Sequence, residues 1–231
     1  MLFGVKSVNA KEVVYTNDNG MELDRYEYDF FRQLYGQKFL QYLDQDVYNQ
    51  YLDIDFQNPD LEVHTYIEPN FNLGNNPRGS FYSTPAKSIN IGKICGAVCR
   101  IVTTATWLVD PSVKSYDVIG SYIVGPTRVS TPATSAYSTL DTNLAETTKY
   151  DTDGYGGIVE LPQGNDIVVV SSFIYTGTGT VYSSYQHAMT TSSTTIAQQF
   201  NISGIGFGGV FDFYDDAYDI YDNMNGVYLV V

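Results

Sequence analysis

Residues 156–185, GGIVELPQGNDIVVVSSFIYTGTGTVYSSY, decide the fold class of this chain. Short runs of β-branched and aromatic residues alternate here with tight polar connectors. The connectors at 162–165 (PQGN) and 176–179 (TGTG) have turn composition, because Pro fixes φ and Gly permits positive φ. Runs this short, bounded by Gly and Pro, predict three adjacent antiparallel strands. One meander cannot bury both of its faces, so we expect the rest of the chain to supply another sheet.

Composition and charge limit the classes of partner. The chain has 231 residues, enough for one large β domain, and carries 26 acidic against 12 basic residues, a net charge of −14. It therefore lacks the cationic surface that nucleic acids and anionic membranes attract, and we expect no direct binding of either. The acidic excess fits a protein that stays soluble at high salt, and equally an ordinary acidic soluble protein.

The sequence contains no membrane or export signal. No run of about 18 apolar residues is present, and the start, MLFGVKSVNAKEVV, lacks a signal-peptide core of about 7–15 apolar residues. We therefore expect synthesis in the cytoplasm, followed by retention or by release through lysis or a non-classical route.

Cys95 and Cys99 lie four residues apart in the run KICGAVCRIV. If this run is one strand, their Cα atoms are about 13 Å apart at about 3.3 Å per residue, too far for a mutual disulfide. A metal site would need further soft ligands, and the other candidates are only His64 and His187. The pattern predicts two buried free thiols.

Alternation of apolar and polar residues predicts further strands. An Asn-Gly turn at 17–20 predicts a hairpin, and residues 61–67 alternate as a half-buried strand with His64 exposed. Residues 89–109 keep a period of two, which predicts one long strand, or two joined near Gly96 by a bulge. The small residues on one face of this run would let a second layer approach closely.

Two later segments complete the predicted sheets. Residues 118–124 form another apolar run that ends at Gly125-Pro126. Residues 227–231 are apolar and aromatic, so leaving them unpaired would be unfavourable, and we expect them to lie inside a sheet.

Two segments have helical spacing. Phe31, Tyr35, Phe39 and Leu43 recur every four residues and predict a short helix whose aromatic stripe packs in the core. A second set of aromatic residues falls opposite a set of aspartates and predicts a short helix with one acidic face; the aromatic residues are Phe211, Tyr214, Tyr218 and Tyr221, and the acidic cluster extends from Asp212 to Asp222.

No motif with catalytic chemistry is present. Asp151 and Asp153 resemble the start of a calcium loop, but Pro162 occupies the position of its last acidic ligand, which favours an ordinary Asp/Gly turn. The cluster from Asp212 to Asp222 predicts a solvated face, since like charges at helical spacing repel. Neither histidine lies near a nucleophile-elbow sequence. We predict no enzyme activity, no cofactor and no catalytic, cofactor-binding or metal residues.

These patterns predict an all-β fold, a jelly-roll sandwich or barrel with one or two short helices, in a single domain over residues 1–231. Residues 128–149 are rich in Ser, Thr and Ala, which suggests an inserted outward excursion around residues 126–150. A predicted sandwich that has no catalytic motif but a surplus of Tyr and Phe indicates a structural protein that forms an assembly.

The chain resembles, as a whole rather than through a motif, the single jelly-roll major capsid proteins of icosahedral, internal-membrane viruses of halophilic archaea. The resemblance is carried by length, acidic low-Lys composition and β runs such as DIVVVSSFIY and ICGAVCRIVTTATWLV. It implies location in the virion, upright barrels in pseudo-hexameric capsomers, contacts with copies of itself and a second, smaller capsid protein, and a membrane beneath the shell reached through other proteins. It also implies an outward tower, to which residues 128–149 or the N-terminal hairpin would belong.

Two alternatives stay open. One is a phage tail or spike component, which would form trimers instead of a lattice. The other is a carbohydrate-binding, adhesive β-sandwich that uses exposed tyrosines such as Tyr182 and Tyr185 as stacking platforms.

Overall fold

The computed structural model describes residues 12–67, 87–145, 147–150, 154–188, 198–202, 209–213, 221–223 and 227–231. The predicted all-β sandwich with one or two short helices is confirmed. The helices are α1 (Arg25–Tyr35) and α2 (Gln45–Asn49), with a 3₁₀ turn (Lys38–Tyr42) between them. The strands are β1 (Tyr15–Thr16), β2 (Glu22–Leu23), β3 (Asp60–Ile67), β4 (Lys87–Cys95), β5 (Cys99–Trp107), β6 (Tyr116–Val124), β7 (Thr127–Arg128), β8 (Ala133–Tyr137), β9 (Thr142–Leu144), β10 (Thr147–Tyr150), β11 (Gly154–Glu160), β12 (Val168–Thr176), β13 (Thr180–Ala188), β14 (Gln198–Ile202), β15 (Gly209–Phe213), β16 (Tyr221–Asn223) and β17 (Val227–Val230).

Two antiparallel sheets form the sandwich. Sheet I has the order β3-β4-β5-β12-β8-β9, and β7 also pairs with β12. Sheet II has the order β10-β11-β6-β13-β16, and β17 also pairs with β13. The predicted C-terminal strand is therefore paired in a sheet, beside β13. The small hairpins β1-β2 and β14-β15 stand apart from these sheets, and the first of them is the hairpin that the Asn-Gly turn predicts.

The main core lies between the two sheets and follows the period of two in the sequence. Ile89, Ile91 and Ile101 of sheet I meet Ile119 and Val181 of sheet II, and all are buried. Because side chains alternate across a strand, the even positions of β4 and β5 point away from this core. Ile94 and Val102 belong instead to a second apolar cluster on the outer face of sheet I.

A helical layer covers that outer face. Asp24 and Glu27 form a capping box that starts α1, and Gly36, with φ of +86°, ends it. The predicted core packing of the aromatic stripe is confirmed, since Phe31, Tyr35, Phe39 and Leu43 are all buried. The predicted close approach also occurs, because a Cβ on Gly92 would lie 2.5 Å from Leu34 Cδ1.

The predicted meander within residues 156–185 is wrong in its pairing. All three strands exist, but β11 and β13 lie in sheet II, each beside β6, while β12 lies in sheet I between β5 and β8. Each connecting turn therefore crosses from one sheet to the other, as connections in a jelly roll do. Turn composition fixes where the chain reverses. Which sheet receives the next strand depends on where the apolar side chains of that strand can be buried.

The predicted period-two run through residues 89–109 forms two strands that meet near Gly96, but a reversal of the chain joins them instead of a bulge, and the predicted free thiols are wrong. The chain reverses at residues 96–98, so β4 and β5 form a hairpin in which Cys95 lies opposite Cys99. Their Cα atoms are 4.1 Å apart and their sulfurs form a disulfide. The distance argument assumed an extended chain between them, and a three-residue turn removes that distance.

The described residues of this segment, 128–145 and 147–149, lie at the edges of the two sheets instead of forming an outward excursion. They supply β8 and β9 to the edge of sheet I and most of β10 to the edge of sheet II, and Thr134 and Ala136 are buried. Small hydroxylated residues suit this edge because they pack closely and bond one another, as Thr134 Oγ1 and Ser171 Oγ do at 2.7 Å.

The predicted helix from Phe211 to Tyr221 is wrong at both of its ends. Residues 209–213 form β15, which pairs with β14, and residues 221–223 form β16, which pairs with β13. Phe211 and Phe213 alternate with Val210 and Asp212, which is a strand pattern. The helix prediction, which was based on the spacing of the aromatic residues, overlooked this alternation. Residues 214–220 lie outside the described part, as do Asp151 and Asp153.

Candidate functional site

A buried polar network closes one end of the space between the sheets. The network consists of four side chains. Trp107 lies at the end of β5 in sheet I, while Asp117 of β6 and Tyr185 and His187 of β13 belong to sheet II. Each of these side chains is at most 2% exposed. Strand alternation places them there, because they continue the inward-facing series of their own strands.

The four side chains form a chain of hydrogen bonds. Trp107 Nε1–H donates to the Tyr185 hydroxyl at 3.0 Å, and that hydroxyl donates to Asp117 Oδ2. His187 Nδ1 lies 3.0 Å from both carboxylate oxygens of Asp117. The His187 ring also packs edge-on against Trp107, with centroids 4.5 Å apart.

In many active sites an aspartate orients a histidine that acts as a general base, but such a base also needs a reacting group within hydrogen-bond reach. His187 is 2% exposed, and among the described residues no Ser, Thr or Cys side chain hydrogen-bonds to its ring. The hydrogen-bond network instead joins the two sheets. A buried carboxylate held by a phenol and an imidazole is satisfied internally and fixes the relation between β5, β6 and β13.

Hydroxyl groups fill the middle of the sandwich in the same manner. Thr103 Oγ1 of sheet I lies 2.8 Å from Ser183 Oγ of sheet II, and Ser183 Oγ lies 2.7 Å from Ser121 Oγ. The Tyr155 hydroxyl donates to Ser171 Oγ at 2.6 Å. Burial raises the pKa of Tyr155 to about 12. These groups bond each other, so they tie the sheets together.

A first surface cleft lies at the opposite end, around the disulfide. Its volume is about 490 Å³, and its walls include Cys95, Cys99, Ile174 and Val231. The hairpin tip is fixed, since Ala97 N–H donates to Asp53 Oδ2 at 2.6 Å. Val98 and Val129, which also line the cleft, are 48% and 55% exposed. This end of the sandwich therefore exposes aliphatic side chains beside a hairpin tip that is fixed by a hydrogen bond.

A second cleft, which we call the leucine cleft, lies beside the β8–β9 hairpin. Its volume is about 630 Å³, and it is lined by Asp18, Asn19, Gln41, Tyr42, Asp44, Tyr137, Ser138, Thr139, Leu140, Asp141, Thr142 and Leu144. The rings of Tyr42 and Tyr137 stack at 5.8 Å, and Leu140 and Leu144 are 76% and 73% exposed. Burial, with Asp166 as the second cause, raises the pKa of Tyr42.

The tyrosines proposed as stacking platforms have different surroundings. Tyr185 is fully buried in the polar network, so that part of the carbohydrate interpretation is wrong. Tyr182 is half-buried on sheet II and lies 5.9 Å from the ring of Tyr228, which is 42% exposed.

The histidines and cysteines also have defined places. His64 is exposed as predicted, and its Nδ1 lies 2.8 Å from the Tyr228 carbonyl oxygen. His187 lies at one end of the sandwich core, and Cys95 and Cys99 lie at the other end. Among the described residues, no group of three or more potential ligands could hold a metal ion.

The sequence interpretation missed the polar network, although a signal for it was present. His187 continues the inward series that starts at Val181 and passes through Ser183 and Tyr185. Asp117 likewise shares its parity with Ile119 and Ile123 in β6. A charged residue in register with apolar neighbours predicts a buried, partnered charge. The partners themselves are 68 and 70 residues away in sequence, which no local pattern indicates.

Comparisons with protein-family models, with curated proteins and with solved structures give no match to this chain. In the described residues, no helix has both the length and the apolar character needed to cross a membrane.

Proposed function

We propose that this protein is a structural virion protein, a major capsid protein that assembles into the capsomers of an icosahedral shell. The observation that carries the proposal is the contrast between inside and outside. The space between the sheets is filled by bonded polar and apolar side chains, while large aliphatic side chains stand exposed at the disulfide end and at the leucine cleft. Exposed apolar groups that are rimmed by polar residues are typical of protein contact surfaces.

The rigidity of the building block supports the same proposal. The helical layer is fastened to sheet I, for example by Lys38 Nζ, which donates to the Trp107 carbonyl oxygen at 2.7 Å and pairs with Asp166 at 2.8 Å. Sheet I is tied to sheet II by the Trp107–Tyr185 bond and by the Thr103–Ser183 bond. A subunit whose layers cannot slide presents its contact faces in one fixed relation, which a closed lattice requires.

The proposed partners follow from charge and from the family resemblance. They are copies of the chain and a second, smaller capsid protein, with the internal membrane reached through other proteins. The net charge of −14 disfavours direct contact with nucleic acid. In this proposal the chain has no enzymatic role, and it is made in the host cytoplasm before it enters the virion.

The proposal is tested by measuring the mass of purified assemblies in molar salt and in dilute buffer. Electrostatic self-repulsion between acidic subunits is screened at high salt, where the Debye length is about 3 Å, so we expect large assemblies there and looser ones in dilute buffer. Electron cryomicroscopy of the high-salt sample then shows whether they are shells. A discrete trimer would favour a tail or spike component, and a monomer that binds glycans would overturn both.

A further inference from the structure

The leucine cleft combines two exposed leucines with a hydrogen-bonded turn beside them. Ser138 Oγ accepts from Leu140 N–H at 3.2 Å and from Asp141 N–H at 3.1 Å, and it donates to the Gln163 carbonyl oxygen. A Cβ on Gly164 would lie 3.1 Å from Leu140 Cγ, so the neighbouring turn packs directly against this leucine. Leu140 is therefore held in place, Leu144 is held in β9 by its pairing with Ser135, and both side chains are exposed.

The charge of the cleft has a single sign. Asp18, Asp44 and Asp141 line it, and the lining includes no Lys or Arg. Asp44 accepts from Val47 N–H and Asp141 accepts from Thr142 N–H, but the described residues offer no ion pair to any of the three carboxylates. Exposed leucines beside carboxylates without an ion pair complement a segment that carries both aliphatic and cationic side chains.

A second copy of the described surface has few cations to offer. Eight basic side chains are described, and all of them are engaged or buried: Arg25 and Arg32 with Asp29, Lys38 with Asp166, Lys93 with Glu62, Arg100 with Gln50, Lys114 with the Gly164 carbonyl, Arg128 with the Ser130 carbonyl, and Lys87 in the core. Two copies that each carry a charge of −14 also repel each other. Because none of the eight described basic side chains is both exposed and uncommitted, we assign the cationic occupant of the cleft to a different protein.

We propose that the leucine cleft binds a segment of a second, cationic protein, with Leu140 and Leu144 contacting its aliphatic side chains and Asp18 and Asp141 pairing with its Lys or Arg. This assignment deepens the proposed function and rests on it, because a shell with two capsid proteins needs a face on the larger one for the smaller. Asp44 contributes to the field of the cleft while it caps α2.

The test titrates the full chain into a fluorescein-labelled peptide, Lys-Leu-Lys-Leu-Lys, and follows polarisation at about 0.1 M salt, where the Debye length is about 10 Å. Asp18→Asn with Asp141→Asn should weaken binding about fivefold, since each exposed ion pair contributes modestly. Leu140→Ser with Leu144→Ser should weaken it about tenfold through lost apolar burial. Glu12→Gln with Asp46→Asn is the matched control, because it makes the same charge change outside the cleft and should leave the affinity unchanged. Thermal unfolding of each variant confirms that it is folded.

Each other outcome identifies a different occupant or none. Equal weakening by the control pair, or equal binding of Lys-Ser-Lys-Ser-Lys, would overturn the inference, because a general acidic field would then explain the binding. Tighter, cleft-dependent binding of the peptide MLFGVKSVNAK, residues 1–11 of this chain, would assign the cleft to the chain itself. Self-association that is lost in the leucine variant would assign it to a second copy. Peptide binding at the cleft without shell formation would retain this inference and reject the proposed function.

Discussion

The indole of Trp107, in sheet I, donates a hydrogen bond to the hydroxyl of Tyr185, in sheet II, at 3.0 Å. The bond crosses the interior of the sandwich, and the same hydroxyl donates to the fully buried Asp117. One phenol oxygen thus connects the end of β5 to the start of β6 and to β13. Trp107 is also the one tryptophan of the chain, so its fluorescence reports on this connection directly.

Tyr185→Phe should lower the free energy of unfolding by about 1–3 kcal/mol, because it leaves the buried indole N–H of Trp107 without its acceptor. Urea unfolding followed by tryptophan fluorescence measures the change. Tyr228→Phe is the matched control, since Tyr228 is 42% exposed, and its effect should stay within about 0.5 kcal/mol. Equal stability of the two variants would contradict the role assigned to the hydroxyl.

The Cys95–Cys99 disulfide predicts a defined mass and a modest stabilisation. The intact protein should be lighter than its reduced form by two hydrogen atoms. Cys95→Ser with Cys99→Ser should lower stability by about 2 kcal/mol, as loop-closure entropy gives for so short a loop. Wild type in reductant serves as the control and should match the variant. Two reactive thiols in the untreated protein would instead support the free-thiol prediction.

Gly157→Ala should destabilise the sandwich by about 1–3 kcal/mol through overpacking between the sheets. A Cβ there would lie 2.5 Å from Thr134 Oγ1 and 2.9 Å from Thr134 Cβ, and a β-branched side chain has little freedom to withdraw. Gly92→Ala is the matched control, because its nearest contact is the terminal Cδ1 of Leu34, which can shift more easily. Thermal unfolding should rank Gly157→Ala as the more damaging; the reverse order would contradict this explanation.

Stability should fall in alkaline solution because of buried tyrosines. Burial raises the pKa of Tyr155 and of Tyr175 to about 12, and raises that of Tyr35 well above its usual value. A raised folded-state pKa stabilises the protein fully below the unfolded value of about 10, and the contribution is lost as the pH rises towards the folded value. Ultraviolet absorbance of tyrosinate should therefore show a late-titrating class in the native protein. The same titration in denaturant should show one class near pH 10, and a single class in both states would contradict the prediction.

Sequence patterns located about half of the elements but none of the site. The Asn-Gly turn predicted the β1–β2 hairpin, alternation predicted β3, and an apolar run predicted β6, each strand within two residues of its bounds. The stripe from Phe31 to Leu43 predicted a helical segment in the core, although Gly36 divides it into α1 and a 3₁₀ turn. Asp117 and His187 were not connected by any sequence pattern, because their bond depends on how β6 and β13 align.

Local sequence by itself determined where many of the strands and turns occur, because backbone preference and side-chain parity act over a few residues. Only the tertiary structure decided that β11, β12 and β13 alternate between sheets, that Cys95 meets Cys99 and that β8, β9 and β10 lie within the sandwich. A turn reverses the chain in either case, and the choice of sheet depends on which distant strands bury the apolar faces together. That choice also places Tyr185 against Trp107 and leaves Leu140 at the surface.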